Sequence, residues 1–383
     1  MTETVAAATP ATPSRKLARR MRELAILGGL ALFFVIAALG VRLLDRAAVQ
    51  SAFKPVPLFP GLAANENKVV SISIETKDKS FNVARTQDGK WVLPGKDNFP
   101  ADPNVVKSTV LALAETKLIE ERTKLASWHK RLDLDLPSDK GTGTVITLKD
   151  EGGQLIGAVV VGKGVDGSNT TNERAAYVRR PTDDQTYVAL GKLALKPKEA
   201  DWIEKRFLEF DRTRIQEAAL KPVKGTAYNV RRAKPEDDFT VLTPLPPGRQ
   251  LRSEREGNGL GNALFSLTFD DVMKASELDF SKAGFAGFKT FNGLSLSFAL
   301  IERSGDTWAT VAATAEPLTA PPAVKPGETP PLTAKEEADA INQRAAGWAF
   351  KIPKFKAILM TAPLEDLLKS NEPPPDGPSV GRP

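Results

Sequence analysis

Residues Leu24–Val41 (LAILGGLALFFVIAALGV) form a run of eighteen residues without a charged or strongly polar side chain. At 1.5 Å per residue a helix over this run is about 27 Å long, close to the ~30 Å hydrocarbon core of a bilayer. It has no polar face to offer water, which argues against a buried helix of a soluble protein. A transmembrane helix over 24–44 is therefore expected, with Arg42 snorkelling to the interface. Arg15, Lys16, Arg19, Arg20 and Arg22 precede the run, whereas the cations that follow it are diluted by Asp45. The positive-inside rule then places the N-terminus in the cytoplasm and the bulk of the chain in the periplasm, held at the inner membrane. A cleaved signal peptide is the competing reading, with Ala38-Leu39-Gly40 as the cleavage site, although such apolar regions usually run ~7–15 residues. Both readings export the remainder.

The flank also accounts for most of the charge. Of the net +6, residues 1–50 hold seven basic and three acidic side chains, so the rest of the 383-residue chain is nearly balanced. A nucleic-acid partner would call for a concentrated basic surface in the folded part and is not expected. The absence of Cys excludes disulfides, thiolate metal sites and cysteine nucleophiles, and a single His excludes multi-histidine cages.

Residues 1–23 read as a cytoplasmic basic tail and 45–65 as an extended, Pro-containing linker. The folded part opens at Val70, Ile72 and Ile74, which alternate with Ser71, Ser73 and Glu75 as a half-buried strand does. Asp88-Gly89 between Phe81–Arg85 and Trp91–Leu93 marks a hairpin, and Asp102-Pro103 starts a helix with an N-cap and a first-turn proline. Two more hairpins follow, Thr144–Leu148 with Leu155–Val161 and Ala176–Arg179 with Thr186–Leu190, and Pro197–Phe207 reads as a short helix.

The pattern then restarts. Tyr228-Asn229-Val230-Arg231-Arg232 matches Phe81-Asn82-Val83-Ala84-Arg85, and Phe239–Pro244 stands where Trp91–Pro94 stood. Gly257–Leu278 takes the place of the Asp102 helix, and Trp348–Met360 with a Pro363–Lys369 helix echoes the end of the first half. The expected fold is α+β: two tandem repeats of antiparallel hairpins and meanders with short helices, over 66–212 and 213–369, preceded by the transmembrane helix. A Pro-rich loop (316–332) and a C-terminal tail (370–383) lie outside the repeat.

The chain resembles the bacterial domain-of-unknown-function family numbered 4340. The resemblance is carried by VVSISI at 69–74, DGKW at 88–91, Ala101-Asp102, Leu132-Asp133 with Pro137, Val161-Gly162-Lys163, and FLEFDRTRIQEAAL at 207–220. It implies no enzymatic activity, and an accessory role beside ABC-type transport systems, with permease or ATPase subunits as partners.

No catalytic, cofactor-binding or metal-binding residue is expected. His129, between Trp128 and Lys130-Arg131, reads as a surface residue at a helix end rather than as part of a Ser–His–acid site. Gly257-x-Gly259-x-Gly261 is one residue short of a dinucleotide fingerprint and reads as the turn that begins a helix. The pairs Asp133/Asp135, Asp183/Asp184, Asp237/Asp238 and Asp270/Asp271 could in principle act as acid and base on a glycan, but they suit turn capping better. Asp166-Gly167-Ser168-Asn169 lacks calcium-loop spacing. Among the five Trp, Trp91 and Trp308 fall on expected strands, and Trp128 is the candidate partner anchor. The expected function is non-enzymatic binding of partner proteins. The alternatives are a membrane-anchored envelope hydrolase using an acidic pair, or a periplasmic solute- or lipid-binding domain.

Overall fold

Alternating apolar and polar residues recur through most of the chain, and the structure answers them with strands. The computed structural model describes residues 26, 28–40, 53–165, 174–193, 196–206, 208, 210–316 and 332–370. The first sheet has ten antiparallel strands, all drawn from 56–191: β1 (Val56–Pro57), β2 (Ser71–Glu75), β3 (Ser80–Arg85), β4 (Trp91–Leu93), β5 (Phe99–Pro100), β6 (Lys117–Glu121), β7 (Thr144–Lys149), β8 (Leu155–Gly164), β9 (Arg174–Arg179) and β10 (Thr186–Gly191). The second has eight: β11 (Ile215–Lys221), β12 (Tyr228–Arg231), β13 (Thr240–Val241), β14 (Asp271–Lys274), β15 (Gly284–Thr290), β16 (Leu294–Arg303), β17 (Asp306–Ala315) and β18 (Trp348–Ile352).

The two sheets share one connectivity. Across the first the order runs β1-β6-β10-β9-β8-β7-β2-β3-β4-β5, and across the second β14-β18-β17-β16-β15-β11-β12-β13. Without β1 and β5, the two orders correspond strand for strand. The Phe81-Asn82-Val83 and Tyr228-Asn229-Val230 segments fall on the equivalent strands β3 and β12. Their registers agree too, since Val83 faces Ile72 and Val230 faces Ala218.

The expected fold class is corrected in two respects. Among the described residues no helix is long and apolar enough to cross a membrane. The N-terminal helix α1 is described over residues 28–40. The folded part is also not an even mixture of helix and strand but two antiparallel sheets with few helices. Among the described residues, Pro197–Phe207 holds a 3-10 turn (Glu199–Asp201), Pro363–Lys369 another (Leu364–Leu367), and Gly257–Leu278 a five-residue helix, α3 (Gly257–Gly261), followed by β14. The two stretches that begin with proline are short for a stable helix, and in the third the glycines of 257–261 lower helix propensity.

Three longer helices remain. Asp102 caps α2 (Pro103–Glu115) by accepting from the Asn104 amide at 2.8 Å, and Val106, Val110 and Leu113 are buried against the core. Thr333 and Glu336 form a reciprocal capping box on α4 (Ala334–Ala345). The third, α5 (Lys354–Thr361), buries Ala357 and Met360 but leaves Phe355 and Ile358 exposed.

One contiguous apolar core contains side chains of both sheets. Phe99, on β5, joins them: its ring meets Trp348 edge-on at 5.0 Å and Phe350 at 6.2 Å, both on β18. Further in, Phe59 leans so closely over β8 that a Cβ at Gly157 would lie 2.5 Å from its ring, so only glycine fits there. A Phe99→Ala substitution removes the ring at the join and is expected to destabilise the fold by about 3–5 kcal/mol. Chemical denaturation followed by tryptophan fluorescence checks this, because Trp348 reports directly on the lost contact.

Candidate functional site

At this join the structure gathers ionisable groups far apart in sequence. Lys96, in the 3-10 turn after β4, pairs with Asp271 of β14 at 2.6 Å, and its Nζ donates to the Val272 carbonyl at 3.2 Å. Glu199, in the 3-10 turn after β10, packs its carboxylate against Gly95, where an added Cβ would lie 2.7 Å from Oε1. That Oε1 is buried and has no hydrogen-bond partner among the described residues. Burial lifts the Glu199 carboxyl above its ordinary value; Lys96 pulls it back, Asp271 adds to the lift and Lys79 opposes it. Sequence reasoning missed this group. Positions 96, 199 and 271 share no local spacing, and only the packing of β14 beside the first sheet brings them together.

A cleft of about 700 Å³ lies beneath α5, lined by Tyr228, Arg252, Glu256, Leu260, Ile358 and Leu368 among others. Burial pushes the Tyr228 hydroxyl up to about 12, with Asp366 and Glu256 contributing. It stays neutral at physiological pH. The cations here are engaged: Arg252 pairs with Glu256 at 3.2 Å, and Arg249 donates to the Lys369 carbonyl at 2.8 Å.

In each acidic pair at least one carboxylate holds backbone or a neighbouring side chain. Asp133 accepts from the Thr142 hydroxyl at 2.8 Å, Asp183 from the Gln185 amide at 3.0 Å, and Asp237 from the Lys234 amide at 3.0 Å. Asp238 accepts from Asn258 at 2.8 Å and pairs with Arg255 at 2.9 Å. Asp271, the member of the fourth pair that joins the cluster above, also accepts the Val272 amide at 2.8 Å. Among the described residues no group of three or more His, Asp or Glu could hold a metal ion.

Two readings of single residues change. His129 is not a surface group: it is 4% exposed, and its Nε2–H donates to the Asp184 carbonyl at 3.0 Å, tying the 3-10 helix Ala126–Leu132 to the β9–β10 turn. The glycines of 257–261 do not precede a helix but make one. They serve close packing, because a Cβ at Gly261 would lie 2.4 Å from the Phe239 ring. Trp308 is buried on β17, Trp202 is buried, and Trp91 and Trp348 are partly buried against the core. Trp128 alone of the five is exposed, at 44%, with the Arg131 guanidinium 4.7 Å from its ring centroid. Arg15, Lys16, Arg19, Arg20, Arg22 and Asp166–Asn169 lie outside the described residues.

What these features define is an antiparallel double-sheet protein with a partly buried charged join between its sheets. The chain belongs to the family described as Domain of unknown function (DUF4340), whose model matches residues 91–286. The matched stretch begins at β4 and ends within β15, so the family unit crosses from one sheet into the other. No curated protein and no solved structure matches the chain.

The raised Glu199 carboxyl has a definite sign in linkage. A carboxyl with a higher pKa folded than unfolded binds more protons in the native state, so its contribution falls as pH rises above the unfolded value near 4.5. Glu199→Gln is therefore expected to raise the melting temperature at pH 7, by on the order of 1 °C. The gain should shrink as pH falls toward the carboxylate range, a trend read from melting curves between pH 4 and 8.

Proposed function

We propose that this chain is a non-catalytic protein held at the bacterial inner membrane through its N-terminal region, with the bulk of the chain in the periplasm. There it binds partner proteins as an accessory component of an ABC-type transport system. The observation that carries the partner-binding reading is Trp128. A large aromatic left 44% exposed, with an arginine stacked on it, has the composition that dominates binding energy at protein interfaces. It stands on a 3-10 helix anchored from below by the buried His129, so it is presented on a fixed support.

The location rests on the sequence: the uncharged run Leu24–Val41 and the five cations before it. The transport association follows from what the family likeness implies. Confinement to a membrane raises the effective concentration of a weak contact, so a few exposed anchors suffice.

The test is cross-linking in cells followed by affinity purification from detergent-solubilised membranes and mass spectrometry. Permease and ATPase subunits are expected, and recovery of the chain alone would overturn the reading. Trp128→Ala is expected to lower partner recovery about tenfold, as loss of an interface hot spot does, while the melting temperature stays unchanged.

A further inference from the structure

The shared connectivity lets each half serve as a control for the other. In the first half Glu75, the last residue of β2, faces Val145 of β7, which faces Val160 of β8. In the second, Lys221, the last residue of β11, faces Phe285 of β15, which faces Ala299 of β16. These are the same positions on the outer faces of equivalent strands, away from the shared core.

Their surroundings differ. In the first half the long β6–β7 connection folds over this face, placing Leu134 on Val145 and Val160 in a small satellite core flanked by Leu132 and Leu136. Leu134 is 0% exposed, and Arg179 of β9 fixes the cover by donating to the Leu134 carbonyl at 2.8 Å. In the second half the equivalent connection between β14 and β15 is only nine residues (275–283). It leaves Phe285 46% exposed. A shallow groove of about 420 Å³, lined by Ala219, Asn229, Phe285, Gly287 and Ser297, runs across this face.

The charge on the rim points to what would fill it. Lys221 lines the groove, Lys224 and Lys282 stand in the connections that adjoin it after β11 and before β15, and all three are exposed with no ion pair among the described residues. The acid nearest in sequence, Asp279, accepts from the Ser281 amide at 2.9 Å, and Lys282 adds a smaller pull that helps hold its carboxyl below the ordinary value. The covering segment of the first half is itself a leucine-and-aspartate sequence, Leu132-Asp133-Leu134-Asp135-Leu136.

We infer that the outer face of the second sheet at Phe285 is the docking site for an acidic, leucine-bearing, non-helical segment of a partner protein, supplying from outside the cover that residues 126–143 supply within. The inference rests on the partner-binding reading and adds the surface and the chemistry of the segment. Apolar side chains of the segment lie on Phe285, and its carboxylates meet Lys221, Lys224 and Lys282.

The experiment places a photo-cross-linking amino acid at position 285, and separately at position 128, in the full chain expressed in its own cells, and sequences the adducts. The expected result is an adduct at 285 on a partner peptide that carries Asp or Glu beside Leu. Its yield should fall about fivefold when Lys221, Lys224 and Lys282 are changed together to Glu, the sum expected of a few exposed ion pairs. These lysines are exposed, so an unchanged melting temperature shows that the variant is folded. An adduct at 285 on lipid, on a second copy of this chain, or on a peptide without acidic residues would overturn the inference, as would a yield indifferent to charge reversal. An adduct at 128 with none at 285 overturns this inference alone, and adducts at neither position overturn the broader reading with it.

Discussion

The contact on which the architecture depends is the meeting of β5 and β18, where Phe99 lies edge-on to Trp348 and close to Phe350. Without it the molecule would be two sheets on a string, each with an apolar face to hide. With it, the inner faces drain into one continuous core. The Lys96–Asp271 pair lies at the same seam, and the reason is geometric. Aromatic side chains set a spacing that long polar side chains can bridge, and a carboxylate such as Glu199 is then trapped where water reaches only part of it.

Equivalence between the sheets also separates what is structural from what is free to vary. Strand order and register are common to both halves. The connections differ: α2 against the five-residue α3, a long β6–β7 segment against a short β14–β15 link, and α4 inserted only between β17 and β18. Differences in connections over a constant sheet are where distinct surfaces arise.

Much of the strand content was legible because its cues are local. Asp88-Gly89 provides the positive φ that the hairpin needs, with Gly89 at +81°, and the Val70–Glu75 alternation became β2 with alternating burial. The aromatic-Asn-Val likeness of β3 and β12 was likewise visible, because the same face of equivalent strands is buried in both. The balance of helix and strand was not, since prolines at 197 and 363 look like first-turn prolines whether a helix or a single 3-10 turn follows. Nor could local sequence show that His129 is buried. Its neighbours Lys130 and Arg131 are charged, and the Asp184 carbonyl it meets lies 55 residues away. Glu199 and Phe285 were invisible for the same reason: one becomes notable through burial at a distant seam, the other through the absence of a cover that only the other half reveals.

The edges of the sheets carry one more consequence. The first sheet ends on the two-residue strands β1 and β5, the second on β13, of two residues, and β14, of four. Edges this short expose few unpaired amides and carbonyls, and so give an incoming strand little to zip onto. A chain built largely of β-structure can thus be crowded beside its own copies without polymerising through its sheets, and whatever recognises it must read side chains on a face rather than borrow its backbone.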